Sequence, residues 1–301
     1  MSQQFRCAAA SLGRDESLAG TASTVRAFLL LENNGPWGED ALRDARLPDG
    51  LGEELAARAA AARVRVLLVR RPGRQQRSDV LRVFAAYAHQ HTPWLETTVL
   101  TDVHQVHDLD IEALGAGRSP GLTPLDETVF AVCTHGKHDT CCAERGRPVA
   151  AVLARTHPAQ TWEVSHIGGD RFAGNALVLP DGLYLGRLDE ANVSGVAHDL
   201  VAGRLPLDHL RGRSGVGNSV QYAEIALRRH LGEPGRDAVR FVSRAHDHEA
   251  TTVVLEVRGE RYALRVRAFR SDEAHPLTCS ATRNNAPVLH ELLDLSPVGE
   301  R

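Results

Sequence analysis

Three of the chain's five cysteines and two of its fifteen histidines fall within ten residues, CTHGKHDTCC at positions 133–142. Such crowding means a metal site, a redox-active thiol pair or simply a busy loop, and spacing helps to separate these. Eight residues lie between Cys133 and Cys142, too many for the knuckle turn of a structural zinc site, which takes about two to four. The same span suits a loop wrapped around one side of a larger inorganic cluster. Thioredoxin-type exchange wants C-x-x-C at a helix start, and the chain contains no such pair. A third donor, His166, follows 24 residues after Cys142, across one predicted helix and one predicted strand. In a strand–loop–helix–strand unit the two strand ends lie close together, so Cys133, Cys142 and His166 can meet. Thiolate with imidazole suits zinc or iron–sulfur chemistry.

The elements that must position these residues are legible from periodicity. Residues 128–134 (TVFAVCT) read as a buried strand that delivers Cys133 at its C-terminal end, where open α/β sheets place ligands. A helix is predicted to start around Gly146-Arg-Pro148, because proline suits the first helical turn, and to stop at His157-Pro158. Residues 161–165 form the next strand and run into HIGGDRFAGN at 166–175. Residues 176–179 and 183–185, joined by Pro-Asp-Gly, read as a hairpin. Upstream, 24–32, 64–70, 80–87 and 96–101 read as strands, and the alanine-rich 51–63 as a helix. Downstream, 219–231 is an amphipathic helix, and 251–257 with 261–268 form an antiparallel pair. The expected fold is therefore α/β, with a smaller α+β part after a boundary near residue 203, giving units of 1–203 and 204–301. No internal repeat is visible.

Composition narrows the function. The hydrophobic share of 43% and charged share of 24% are globular values. A net charge of −3 with no basic run argues against nucleic acid, and the lone Lys137 among many arginines reads as compositional bias. The N-terminal stretch has no signal-like apolar segment, and no apolar run is long enough to span a bilayer. The expectation is a cytoplasmic protein with reduced thiols and no membrane partner, in which clustered cysteines serve metal or catalysis rather than disulfides.

Two segments together resemble the sucrase/ferredoxin-like proteins, also called thioredoxin-like ferredoxins. CTHGKHDTCC matches the family's C-x-H-x₃-D-x₂-C segment, and HIGGDRFAGN its later H-x-G-G-x-x-[FY]-A-x-N segment. The stretches GTAS…WGEDAL and RGRSG…VQYAE also look like bacterial members, so the resemblance spans most of the chain. It implies a thioredoxin-like core, a mixed sheet flanked by helices, around a [2Fe–2S] cluster held by two cysteines and two histidines. Carried across, Cys133 and Cys142 are the thiolate ligands and His166 the first imidazole. Asp170 stands where the family has its second histidine, a harder ligand that would favour the oxidised cluster, and His135, His138 and Cys141 are the other candidates for the place. His135 matches a family position and is expected to support the ligands from behind. Gly168 and Gly169 would let the backbone approach the cofactor, and Asn175 would orient the loop. Cys141 is read as a neighbour of the site, and Cys7 and Cys279 as structural.

The resemblance implies a one-electron carrier rather than a catalyst with its own substrate. Imidazole ligation should raise the potential and make it vary with pH. Donor and acceptor proteins are the implied partners. A thioredoxin-like thiol protein and a zinc-binding interaction module are the alternatives. Glycoside hydrolysis, which the word sucrase suggests, needs two carboxylates about 5–10 Å apart, and no such pair stands out.

Overall fold

The computed structural model describes residues 4–73 and 80–299. In chain order, helix α1 (Cys7–Gly13) precedes strand β1 (Ala27–Glu32). Helices α2 (Ala41–Asp44) and α3 (Leu51–Ala62) lead to β2 (Val64–Arg70), β3 (Leu81–Tyr87) and β4 (Trp94–Leu100). Helix α4 (Ile111–Gly115) and the two-residue β5 (Thr123–Pro124) come next. They are followed by β6 (Val129–Cys133), α5 (Thr140–Thr156), β7 (Thr161–Val164), β8 (Ala176–Leu179), β9 (Leu183–Leu185) and α6 (Val193–Val201). Strand β10 (Leu210–Arg213), α7 (Asn218–Leu231), β11 (Val239–His246), β12 (Thr251–Val257), β13 (Glu260–Arg270) and β14 (Val288–Pro297) complete the order.

Strands β1 to β10 form one mixed sheet in the order β10-β9-β8-β6-β7-β2-β1-β3-β4-β5, and β11 to β14 form a separate antiparallel sheet. The fold is thus α/β with a smaller antiparallel part at the C-terminal end, as expected. Sequence reading missed β11 and β14, whose residues alternate poorly and lie half in solvent.

The large sheet contains a repetition that the amino-acid pattern does not announce. β1 and β2 run parallel through α3, and β3 and β4 add as antiparallel neighbours beyond β1. β6 and β7 run parallel through α5, and β8 and β9 add as antiparallel neighbours beyond β6. Each half is a βαβ unit followed by a hairpin, the strand order of a thioredoxin-like core. They join where β2 pairs antiparallel with β7, through Val69 with Val164 and Arg70 with Glu163. This corrects the reading of no internal repeat: the halves share strand order and little sequence, so only the topology reveals them.

Alternation along the strands divides the core in two layers. Ala27, Leu29 and Leu31 pack with Leu51, Leu55 and Ala59 of α3, whereas Phe28 and Leu30 join Trp162 and Tyr184 on the other face. Helix α7 bridges the two sheets. Its Ile225 packs with the large sheet, and its Val220, Ala223 and Leu227 pack with β12 and β13. Among the described residues, no helix is long and apolar enough to cross a membrane.

Candidate metal centre

The strand β6 ends at Cys133, and the chain turns through 134–139 into α5. That helix begins at Thr140, eight residues before Pro148, which lies inside it. The sequence reading started it at the proline. The signal that wins is Asp139, whose carboxylate caps the helix by accepting from the Cys141 N–H at 2.8 Å. Cys141 and Cys142 therefore sit in the first helical turn, where the positive end of the helix dipole favours thiolate. Glycine is required deeper in the same helix: a Cβ at Gly146 would stand 2.0 Å from the Cys133 carbonyl oxygen. That close approach sets α5 against the end of β6 and brings the two cysteines together.

The second strand end supplies the remaining donors. β7 ends at Val164, and the chain passes through His166 into the turn that contains Asp170. Donor atoms of Cys133, Cys142 and His166 lie within 4.8 Å of one another, and those of His138, His166 and Asp170 do the same. Asp170 Oδ1 stands 3.1 Å from the Cys142 sulfur and 2.9 Å from His166 Nδ1. The expected ligands thus fall in two overlapping triads that share His166, with Asp170 also beside the Cys142 sulfur. Cys133 and Cys142 are 1% exposed and Asp170 4%, while the His166 side chain remains 25% exposed. His138, one of the other candidates for the fourth place, lies on the solvent side with its ring stacked on His166 at 3.7 Å between centroids.

The electrostatics divide the donors, favouring charge on Cys133 and Asp170 and protons on Cys142 and His166 that a bound metal would displace. The Cys142 hydrogen bond, aided by His166, outweighs burial and holds the Cys133 thiol well below its ordinary value; Cys142 is pushed up in turn. Burial opposes charge on His166, but Asp170 and Cys133 push it up to about 9. Burial likewise opposes charge on Asp170, and His166 more than offsets it. Yet His166 Nδ1 has no hydrogen-bond partner of acceptable geometry, although it is buried and Asp170 stands beside it. An imidazole–carboxylate pair beside two buried thiols fits a metal-ligand set.

The other predicted residues surround this set. His135 has both ring nitrogens engaged: Nε2 donates to the Gly38 carbonyl at 2.8 Å, and Nδ1 accepts from the His166 N–H at 3.2 Å. Its ring thereby ties the Gly38 loop to the His166 backbone. Gly168 and Gly169 both have positive φ, and a Cβ at Gly169 would stand 2.3 Å from the Arg211 guanidinium. The space that glycine leaves is filled by Arg211. That guanidinium donates to the Gly168 carbonyl at 2.8 Å, the Asn175 Oδ1 at 2.9 Å and the Thr21 carbonyl at 2.6 Å. Asn175 in turn donates to the Gly169 carbonyl at 2.9 Å. Burial lowers the Arg211 pKa to about 10. Arg211 lies in the RGRSG stretch, to which sequence reading gave no role.

The first half of the sheet also contributes. Its strand-end loop supplies Gly38, Glu39, whose carbonyl lies 3.3 Å from His138 Nδ1, and Trp37, whose ring meets His135 edge-on. From β2, Arg65 donates to the His166 carbonyl at 2.9 Å.

Cys7 and Cys279, expected to be structural, and Cys141, expected to neighbour the first site, come together in the fold. The cysteine sulfurs and an Asp139 oxygen lie within 4.8 Å of one another. Residues 7, 141 and 279 are too far apart in sequence for spacing to have shown it.

Neither the curated proteins nor the solved structures compared with this chain gave a match. A family model described as sucrase/ferredoxin-like does match it, over residues 18–212, from the segment before β1 through the strand that carries Arg211. That span is well over half of the chain and contains both strand ends of the metal-ligand set, so the chain belongs to the sucrase/ferredoxin-like family.

Proposed function

We propose that Cys133, Cys142, His166 and Asp170 hold a [2Fe–2S] centre and that the protein is a one-electron carrier. What supports this is the segregation of the donor set. Two sulfurs lie on the helix and β6 side, and an imidazole–carboxylate pair lies on the turn after β7. Sulfur donors on one side and non-sulfur donors on the other match the division seen when two cysteines are replaced on one iron of a two-iron centre. The single observation that carries it is the meeting of His166 with two buried thiols within 4.8 Å, while its Nδ1 stands 2.9 Å from the Asp170 carboxylate. When bound, such a centre supplies one-electron chemistry at a potential set by ligand type, hydrogen bonds to sulfur and burial.

The protein's own residues would do the rest. Cys133 and Asp170 bring negative charge, and the buried guanidinium of Arg211 balances part of it from behind the 168–175 turn. His135 fixes the His166 backbone. His138 covers the outer face of the His166 ring and borders a cleft lined by Glu39, Arg43 and Arg65, where redox partner proteins would approach.

The test is anaerobic purification followed by a visible spectrum and assays of iron and acid-labile sulfide. Coloured protein with matched iron and sulfide is expected, and Cys133→Ser and His166→Ala should each lose both. A colourless wild-type protein carrying one zinc at this site, or no metal, would overturn the proposal.

A further inference from the structure

We infer that Cys7, Cys141, Cys279 and Asp139 form a second metal site, separate from the first, and that its ion is zinc. Three chain segments meet there: the start of α1, the first turn of α5 and the loop between β13 and β14. The Cys141 and Cys279 sulfurs are 3.2 Å apart, and those of Cys279 and Cys7 3.6 Å. In a tetrahedron with Zn–S near 2.3 Å, sulfurs stand about 3.8 Å apart. Two of the three separations are therefore already near what one ion requires, and all three sulfurs lie within 4.8 Å of one another. Asp139 offers the fourth donor: both its oxygens lie 3.7 Å from the Cys7 sulfur. Its Oδ1 also accepts from the Cys141 N–H and its Oδ2 from the Cys279 N–H at 2.7 Å. These bonds orient the carboxylate and hold two of the cysteine backbones in place, as the outer partners of metal ligands do.

The convergence is built rather than incidental. Arg6 pairs with Glu144 through both carboxylate oxygens at 2.7 Å, pinning α1 to α5. Glu16 pairs with Arg171 at 2.6 Å and with His275 at 2.7 Å, pinning the loop that carries Cys279 to the turn after β7. Cys7 and Cys141 are buried, at 0% and 1% exposure. A disulfide would use two of the thiols and strand the third, whereas one ion uses all three. Sulfur-rich, four-donor, single-ion geometry is what zinc takes. Binding replaces the thiol protons with the ion and releases them to solvent.

The site does not depend on the reading of the first. Cys7 and Cys279 lie outside the residues that the family model matches, and Cys141 and Cys142 face different sites from adjacent positions on one helical turn. The zinc would lock the N-terminal helix and the β13–β14 loop onto the turn that presents Cys142.

The test is a double dissociation in the full chain, purified without oxygen and analysed for zinc and iron. Cys279→Ser should lose about one zinc per chain relative to wild type and keep its iron, whereas Cys133→Ser should lose iron and keep that zinc. A first site that bound zinc rather than iron would still leave Cys279→Ser one zinc short, so the two readings fail separately. Unchanged zinc in Cys279→Ser overturns the inference. So does a wild-type intact mass showing a Cys141–Cys279 disulfide, or iron that follows Cys279. Should Cys279→Ser not fold, zinc-edge X-ray absorption of Cys133→Ser decides. About three sulfurs per zinc near 2.3 Å support the site, and an oxygen and nitrogen shell overturns it.

Discussion

Arg211→Met is the substitution that most directly separates positioning from ligation at the first site. The guanidinium touches neither sulfur nor imidazole, yet it joins Gly168, Asn175 and Thr21, holding the 166–175 turn against the N-terminal segment. Methionine has comparable length and fills much of the same space, so the cavity contribution is small. It takes the donor from four oxygens: the carbonyls of Gly168 and Thr21, the Asn175 side chain and the Thr21 hydroxyl. The half-exposed hydroxyl accepts only the weaker 3.2 Å bond from Nε, and water can serve it instead, so it adds little to the cost. Each buried acceptor stripped of its partner costs about 1 kcal/mol or more, giving about 3 kcal/mol in all. Contacts of the guanidinium with the Phe172 and Tyr184 rings, 5.4 and 5.6 Å from their centroids, are lost as well, at about 0.5–1 kcal/mol. Relief of a buried charge works the other way, so a net loss of about 2–3 kcal/mol is expected. Urea unfolding of metal-free protein measures this term, and iron per chain measures its consequence for the site. Arg211→Lys retains the charge but cannot reach three acceptors in a fork, and should fall between the two. If Arg211→Met unfolds at the wild-type urea concentration and retains its full iron, the turn is held by something else and the reasoning about Arg211 is wrong.

Three further outcomes are expected. Gly146→Ala drives a methyl group into the Cys133 carbonyl, so α5 must move off β6; a loss of about 2–4 kcal/mol should appear together with weaker iron retention, and an unaffected protein would mean the helix is not so tightly seated. Glu16→Gln should cost about 2–3 kcal/mol at neutral pH. Burial raises the Glu16 pKa, but Arg171 and His275 bring it below the ordinary carboxylate value. The stabilisation is therefore present above the unfolded carboxyl pKa near 4.3 and lost as pH falls through the lower folded value. The gap between wild type and variant in unfolding midpoint should hold steady at neutral pH and close in acid; a gap that widened in acid would reverse the assignment. Asp170→Ala should lower iron per chain, whereas Asp170→His should retain it and shift the midpoint potential upward, since a neutral imidazole replaces a carboxylate. Equal iron in the alanine variant would remove Asp170 from the ligand set.

Much of the first site could be read along the chain because its parts are local. Cys133 ends a strand of buried residues, and Cys142 and His166 follow at distances that one βαβ unit explains. The start of α5 was misplaced because proline is a louder signal than an aspartate cap. Arg211 was missed because its partners are backbone carbonyls, which carry no mark in the amino-acid pattern. The trio of Cys7, Cys141 and Cys279 was missed for a different reason. Contacts made across more than a hundred residues depend on how sheets and loops pack, and no periodicity encodes them. The doubled strand order is likewise a property of topology, invisible when the two halves share few residues.

The seam between β2 and β7 has a consequence in mass action. The first half lends the second its Gly38 carbonyl for His135 and its Arg65 for the His166 backbone, so the centre is completed across a boundary between two similar units. Were those units separate chains, each encounter would sacrifice translational and rotational freedom estimated at about 4–15 kcal/mol. Support for His166 would then weaken on dilution. On one polypeptide, that freedom is already surrendered in the connection from β4 to β6, and the effective concentration of one half for the other does not change with the amount of protein. The geometry around His166 is thereby independent of how much of the protein is present.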